Sequence, residues 1–259
     1  MKHSTLTLAD ALLPLLPASG GLVAFVGAGG KTRALFSLGA ALAARGGPVL
    51  LSSTTHLLDP RLESGRPPHA LLLRPDLEGP ASAWPLPAAA PGLSLLMARV
   101  EPPEKLKGIH PSWFPTLRNI WPHILVEADG SKRLPLKAPA EHEPVLPLQP
   151  DLVLGVLGLD GLGRPLDARS VHRPELFAEV TGCALGEPIR WEHLVALAGH
   201  PQGLFKGAPG RRVLLLNKAD LAPFPLSRDQ LAALPADLVL LGALAAPERG
   251  MVMVKGSRP

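Results

Sequence analysis

The run VAFVGAGGKTR, Val23–Arg33, is an apolar segment that breaks into glycines and then into Lys-Thr. Four apolar residues in succession, Val23–Val26, read as a strand buried on both faces, which places it inside a helix-covered parallel sheet. Gly27–Gly30 follow as a loop whose glycines can adopt backbone angles closed to other residues. Thr32–Arg45 then repeats Ala, Leu and Phe at helical spacing, until Gly46, Gly47 and Pro48 stop it. Val49–Leu51 is a second buried strand, ending in the polar SSTTH of Ser52–His56. Strand, loop, helix and strand in that order call for a parallel pair joined by a right-handed crossover. The expected fold is α/β, a mostly parallel sheet flanked by helices, of the phosphate-loop nucleoside triphosphatase type.

The remaining segments fit that frame. Residues 7–16 read as a short amphipathic helix, with Thr7 as its cap and Asp10 as the acidic N3 residue. Asp10, Pro14 and Pro17 also interrupt what would otherwise resemble a signal peptide. Residues 59–122 are punctuated by proline and form an expected insertion or sheet edge, with short strands at Leu71–Leu73 and Leu93–Ala98. His123–Val126, Asp151–Leu157, Val213–Leu216 and Leu238–Leu241 read as further strands, the last of these closing the sheet. Val171–Val180 and Trp191–Leu197 read as helices. At 259 residues the chain makes one domain carrying that insertion.

Composition narrows the function classes. The net charge is +4, without a Lys/Arg block or a basic stripe interleaved with aromatics, so no nucleic-acid partner is expected. The single cysteine, Cys183, cannot form an internal disulfide and stands in no zinc-like spacing. No apolar run is long enough to cross a bilayer, so no membrane partner is expected and a reducing cytoplasm fits best.

The glycine loop carries the chemistry. Counted from Gly27 it reads G-x-x-G-K-T, shorter than the usual phosphate loop, because Phe25 stands where the first glycine would be. Gly27, Ala28, Gly29 and Gly30 would let the backbone wrap a phosphate. Lys31 would reach the β- and γ-phosphates, and Thr32 would offer its hydroxyl to Mg²⁺. A dinucleotide fingerprint fails here, since its third glycine falls on Thr32 and Ser52–Ser53 replace the expected acid. A plain glycine turn with an exposed Lys31 satisfies the same letters.

Glu127 and Asp129, in HILVEADG, stand at the carboxyl end of a buried strand, where a phosphate-loop protein keeps the acid that supports Mg²⁺. Asp129 with Thr32 would hold the metal, and the other carboxylate would position the attacking water. VLLLNKAD, Val213–Asp220, is a strand ending in the pattern that reads guanine. Asp220 would accept from the guanine N1–H and 2-amino group, which adenine lacks. Asn217 would bond the purine, and the Lys218 stem would pack on its face. GTP is therefore expected ahead of ATP, and a surface turn is the competing reading.

The segment Glu127–Pro147 crowds Lys132, Arg133, Lys137, Glu141, His142 and Glu143 between apolar strands. It closely resembles the YqeC-like family of selenium-dependent hydroxylase accessory proteins, as do FVGAGGKT, SSTTH, GLDGLGRPL, VHRPE and LLNKAD, which occur here in the family's order. The resemblance implies a nucleotide-binding phosphate-loop protein that serves maturation of molybdenum hydroxylases carrying a selenium cofactor. Its partners would then be a nucleotide and such a hydroxylase or its cofactor-maturation proteins. It implies that Thr54, Thr55 and His56, after the second strand, lie near the γ-phosphate or in a switch element. It also implies that Lys132, Lys137, Glu141, His142 and Glu143 form a signature cluster, with His172 and Arg173 facing the same cleft. Arg173 could supply a transition-state cation in cis or pair with Glu175. An ATP-dependent ligase or kinase, and a nucleotide-gated binding module with negligible turnover, remain the alternative readings.

Overall fold

The computed structural model describes residues 6–63, 69–81, 86 and 88–255. The rest of the 59–122 insertion lies outside the described residues. In chain order the first strands are β1 (Gly21–Gly27), β2 (Pro48–Ser53), β3 (His56–Leu58), β4 (Ala70–Leu73) and β5 (Gly92–Met97). They are followed by β6 (Arg99–Glu101), β7 (Lys105–Lys107), β8 (His123–Glu127), β9 (Leu136–Lys137) and β10 (Leu152–Gly158). The chain closes with β11 (Val171–His172), β12 (Arg211–Asn217), β13 (Leu238–Gly242) and β14 (Met251–Lys255). Six α-helices accompany them among the described residues: α1 (Leu8–Leu12), α2 (Lys31–Ala43), α3 (Phe114–Leu117), α4 (Pro174–Thr181), α5 (Trp191–Gly199) and α6 (Arg228–Ala232).

Nine strands form one sheet in the order β14-β13-β12-β10-β1-β8-β2-β5-β4. Every neighbouring pair is parallel except β13–β14. β1 is buried along its whole length, as a strand covered on both faces must be. One apolar layer packs α1 and α2 against Val23, Phe25, Leu51, Leu125 and Leu154. The other face is shared. Phe177, Leu194 and Leu197 from α4 and α5 cover Ala24, Val26, Val153 and Leu214. Trp113, Phe114 and Trp121 cover Leu22, Leu50 and Ile124. The α/β, mostly parallel, helix-flanked architecture is therefore as expected.

One expectation is met in part and three local expectations change. The proline-rich segment is partly sheet edge, because β5 and β4 extend the main sheet beyond β2. Its remainder builds the small sheet β3-β7-β6. The helix expected over Val171–Val180 starts only at Pro174. Val171–His172 instead pairs with Leu136–Lys137, and Arg173 turns the chain with φ +67°. The last strand is not Leu238–Leu241 but β14, whose antiparallel return closes the edge. The helix expected over residues 7–16 is α1 followed by a 3₁₀ turn at Leu13–Leu15. Its start is the reciprocal box of Thr7 and Asp10.

Candidate functional site

After β1 the chain crosses to β2 on one side of the sheet, and β10 later takes the other side. The loop after β1 thus stands where the strand order reverses, the place at which open α/β sheets bind ligands. Gly27, Gly29 and Gly30 have φ of +93°, +80° and +128°, so three of the four loop residues hold backbone angles that favour glycine.

The loop amides divide into two groups. Gly27 N–H donates to Asp129 Oδ2 at 3.0 Å, Ala28 N–H to Val156 O at 2.9 Å, and Gly29 N–H to Leu134 O at 3.1 Å. These bonds tie the first half of the loop to its neighbours. The N–H groups of Gly30, Lys31 and Thr32 have no acceptor among the described residues. They are the donors that every helix leaves open at its start, here the start of the 13-residue α2.

A Cβ on Gly29 would lie 2.3 Å from Gly158 N and 2.7 Å from Pro135 O, both backbone atoms that cannot swing aside. Gly29→Ala is expected to cost about 2–4 kcal/mol, from left-handed strain plus overpacking. A chemical-denaturation midpoint equal to that of the wild type would contradict this account of the loop.

Lys31 is buried. Its Nζ donates to Gly27 O at 2.6 Å and lies 3.1 Å from Asp129 Oδ1 and 3.7 Å from Glu127 Oε1. Burial by itself favours the neutral amine. The charges of Asp129 and Glu127 overcome it, and the Lys31 pKa is held above its ordinary value. Thr32 Oγ1 donates to Glu127 Oε2 at 2.8 Å.

The carboxylate that meets Thr32 is thus Glu127, whereas the expectation paired Thr32 with Asp129. Asp129 is committed elsewhere: its Oδ2 accepts from Gly27 N–H and lies 3.0 Å from Lys137 Nζ. Strand geometry explains the division. Glu127 still belongs to β8 beside Ser53 and Phe25, while Asp129 lies past the strand end, under the loop.

From Asp129 a buried ionic chain runs outward. Lys137 Nζ donates to Gly130 O and to Glu143 Oε2, both at 2.7 Å. Arg173 Nη1 donates to the same Glu143 oxygen at 2.6 Å. Burial pushes the Glu143 carboxyl up, but the hydrogen bonds from Arg173 and Lys137 outweigh it and bring it down to about 2. Arg173 therefore pairs with Glu143 rather than Glu175. The β9–β11 pair sets His172 opposite Lys137. Burial, then the charges of Arg173, Lys137 and Lys132, lower the His172 pKa to about 4, so its ring is neutral at neutral pH.

Other candidates stand apart. Thr54 Oγ1 donates to Val145 O at 2.6 Å, and Thr54 N–H to Glu127 O at 3.1 Å, which pins the end of β2 beside the acids. Thr55 N–H bonds Ser53 Oγ. His56 belongs to the small sheet and pairs with Glu101. Glu141, His142 and Lys132 are exposed, and of the signature cluster only Lys137 and Glu143 are buried in the network.

On the far side, Asn217 Nδ2 donates to Gly29 O at 2.8 Å and its Oδ1 accepts from Leu244 N–H at 2.9 Å. Both ends of this buried amide hold protein, so Asn217 clamps the loop; the expectation gave it the purine. Lys218, at φ +61°, donates to Asp160 Oδ2 at 2.8 Å. Asp220 is exposed at the same strand end. Lys132, Arg133, Arg173 and Lys218 all hold left-handed backbone, and such strain gathers at functional sites. Asp160 received no role from the sequence. The only signal for it was its place in GLDGLGRPL.

Oxygen donors suit a hard cation. Thr32 and Glu127 fit Mg²⁺, which keeps several waters and takes few protein ligands. Among the described residues no group of three His, Cys, Asp or Glu forms a ready metal cage. No helix of the described residues is long and apolar enough to cross a membrane.

These features define an α/β protein whose parallel sheet carries a glycine loop, a buried lysine and two carboxylates at the carboxyl ends of its strands. The chain belongs to the YqeC family: residues 23–175 match the family described as YqeC protein. It is 36% identical over 209 residues to the uncharacterized protein YqeC of Escherichia coli (strain K12), across 76% of this chain and 75% of that one. No solved structure matches. The family match takes in the loop, both acids and the Lys137–Glu143–Arg173 network, and ends before Asn217.

Proposed function

We propose that this chain is a Mg²⁺-dependent protein that binds and hydrolyses a nucleoside triphosphate, with GTP as the nucleotide. The observation that carries the reading is the second half of the loop. Three unengaged N–H groups, Gly30–Thr32, open at the start of α2, with the Lys31 ammonium and the Thr32–Glu127 pair around them. This is a site for a polyanion accompanied by a hard cation.

Lys31 would turn from Asp129 to phosphate oxygens while keeping Gly27 O. Thr32 and Glu127 would hold Mg²⁺, which supplies charge neutralisation at the phosphates. Asp129, shared between Lys31 and Lys137, would keep both lysines charged and placed. Arg173, at the outer end of the ionic chain, would offer positive charge to the negative charge that develops on the phosphate oxygens. The resemblance to selenium-dependent hydroxylase accessory proteins supports a role in maturing molybdenum hydroxylases, with such an enzyme or its maturation proteins as partner.

The short loop and the Lys137–Glu143–Arg173 network beside it also favour a second reading, an ATP-dependent ligase or kinase holding an acceptor there.

Equilibrium binding of GTP, GDP, ATP and ADP with Mg²⁺ tests the proposal. The wild type is expected to prefer guanine nucleotides at least tenfold, because guanine N1–H and its 2-amino group donate to the Asp220 carboxylate and adenine has neither donor. Asp220→Ala is expected to abolish the preference. Tight ATP binding indifferent to Asp220 would move the ligase reading to first place, and no nucleotide binding at all would remove both.

A further inference from the structure

Asp160 has no part in the site built above. It lies in the 3₁₀ turn Leu159–Gly161 that follows β10. Its Oδ2 accepts from Lys218 Nζ at 2.8 Å and lies 3.9 Å from Arg164 Nη2. Its Oδ1 is buried and has no hydrogen-bond partner among the described residues. A buried carboxylate oxygen without a donor is uncommon in a folded protein and points to a missing partner.

The position of that oxygen is specific. A Cβ on Gly158 would stand 2.6 Å from Asp160 Oδ1 and 3.1 Å from Gly29 Cα. The carboxylate therefore folds back over Gly158, beside the glycine loop, with Lys218 on its other side.

β10 lies between β1 and β12. Neighbouring strands are about 4.8 Å apart, so the backbones of β1 and β12 stand about 10 Å apart across the end of β10, a gap that the Asn217 side chain spans to reach Gly29 O. A nucleotide with its phosphates on the loop and its base at Asp220 must lay its sugar over that end, where Asp160 stands. Sugar hydroxyls are neutral donors, and an ionised carboxylate is purely an acceptor. The final torsion of an aspartate side chain is broad, so the carboxylate can turn to offer one oxygen to a sugar hydroxyl while Lys218, on its flexible stem, follows the other.

We propose that Asp160 is a nucleotide-binding residue that accepts a hydrogen bond from a ribose hydroxyl and discriminates against the analogue that lacks it. This rests on the nucleotide reading and adds the sugar to it.

The test is calorimetric binding of GTP, 2′-deoxy-GTP and 3′-deoxy-GTP with Mg²⁺, to wild type and to Asp160→Asn, with the adenine series in parallel. The wild type is expected to bind one deoxy analogue roughly 10–100-fold more weakly than the ribonucleotide, the range for a hydrogen bond to a charged group. In Asp160→Asn that ratio is expected to fall to near one, with ribonucleotide affinity dropping to the deoxy level.

Equal wild-type affinity for all three nucleotides overturns the proposal without any variant, so a misfolded Asp160→Asn cannot conceal that result. A variant that weakens all three alike, leaving the ratio intact, makes Asp160 only a positioner of Lys218 and overturns it too. Failure of every nucleotide to bind is a different result, which removes the nucleotide reading itself.

Discussion

Replacing Lys31 with methionine is expected to lower Mg²⁺-dependent GTP hydrolysis roughly 10²–10³-fold, the loss that follows removal of one positioned donor at a developing charge. Methionine fills much of the lysine volume, so packing of the buried side chain changes little. What disappears is the ammonium that sits 2.6 Å from Gly27 O and 3.1 Å from Asp129 Oδ1.

The same change leaves Asp129 and Glu127 with less compensation in a buried setting, at a cost of about 3–5 kcal/mol of folding stability. A second substitution separates the two effects. In Asp129→Asn the amide oxygen can take the Oδ2 position, keeping Gly27 N–H and Lys137, while the uncharged amide NH₂ takes the Oδ1 position where the ammonium was. The double variant is expected to regain stability in urea and remain without turnover. Turnover that returns with stability would make Lys31 a structural cation and no part of the reaction.

Glu143→Ala is expected to be the most damaging change outside the loop, about 3 kcal/mol, because the half-buried Arg173 loses its carboxylate and Lys137 is left with Asp129 and Gly130 O alone. In a chain of this size that is a fall in melting temperature of the order of 10 °C.

The pH dependence has a definite sign. The folded carboxyl of Glu143 titrates near 2, below its ordinary 4.5. The stability it contributes is fully present above pH 4.5 and is lost as pH falls from there through 2. His172 acts in a separate window. Its folded pKa of about 4 lies below the ordinary 6.5, so the unfolded chain takes up the proton first and stability falls between those two values. Denaturation curves from pH 7 to pH 3 should therefore show two successive losses. His172→Gln should remove the upper one alone, and Glu143→Ala should flatten the lower. A wild-type curve without the lower loss would show that Glu143 is not held as an ion pair.

The parts of this protein legible from its sequence are those whose signal is local. Val23–Thr32 announces a strand, a left-handed loop and a helix start because the three are consecutive, and the structure places them so. Buried parallel strands have little polar periodicity but a distinctive run of apolar residues, so β8, β10, β12 and β13 were readable in the same way. Thr7 and Asp10 were legible as a cap because both partners lie within one turn.

Tertiary structure decided what depends on partners far apart in the chain. Nothing local distinguishes Glu127 from Asp129. Only the register of β8 against β1 and β2, and the position of the loop above it, give Thr32 to one and two lysines to the other. Glu143, Lys137 and Arg173 meet because β11 returns beside β9, at a point where the apolar pattern after Val171 looked helical. Asn217, 188 positions from Gly29, holds the loop from across the sheet. A side chain's chemistry is set by which groups replace its water. For a buried charge those groups come from whichever strands the fold makes neighbours, and a single sequence does not carry that information.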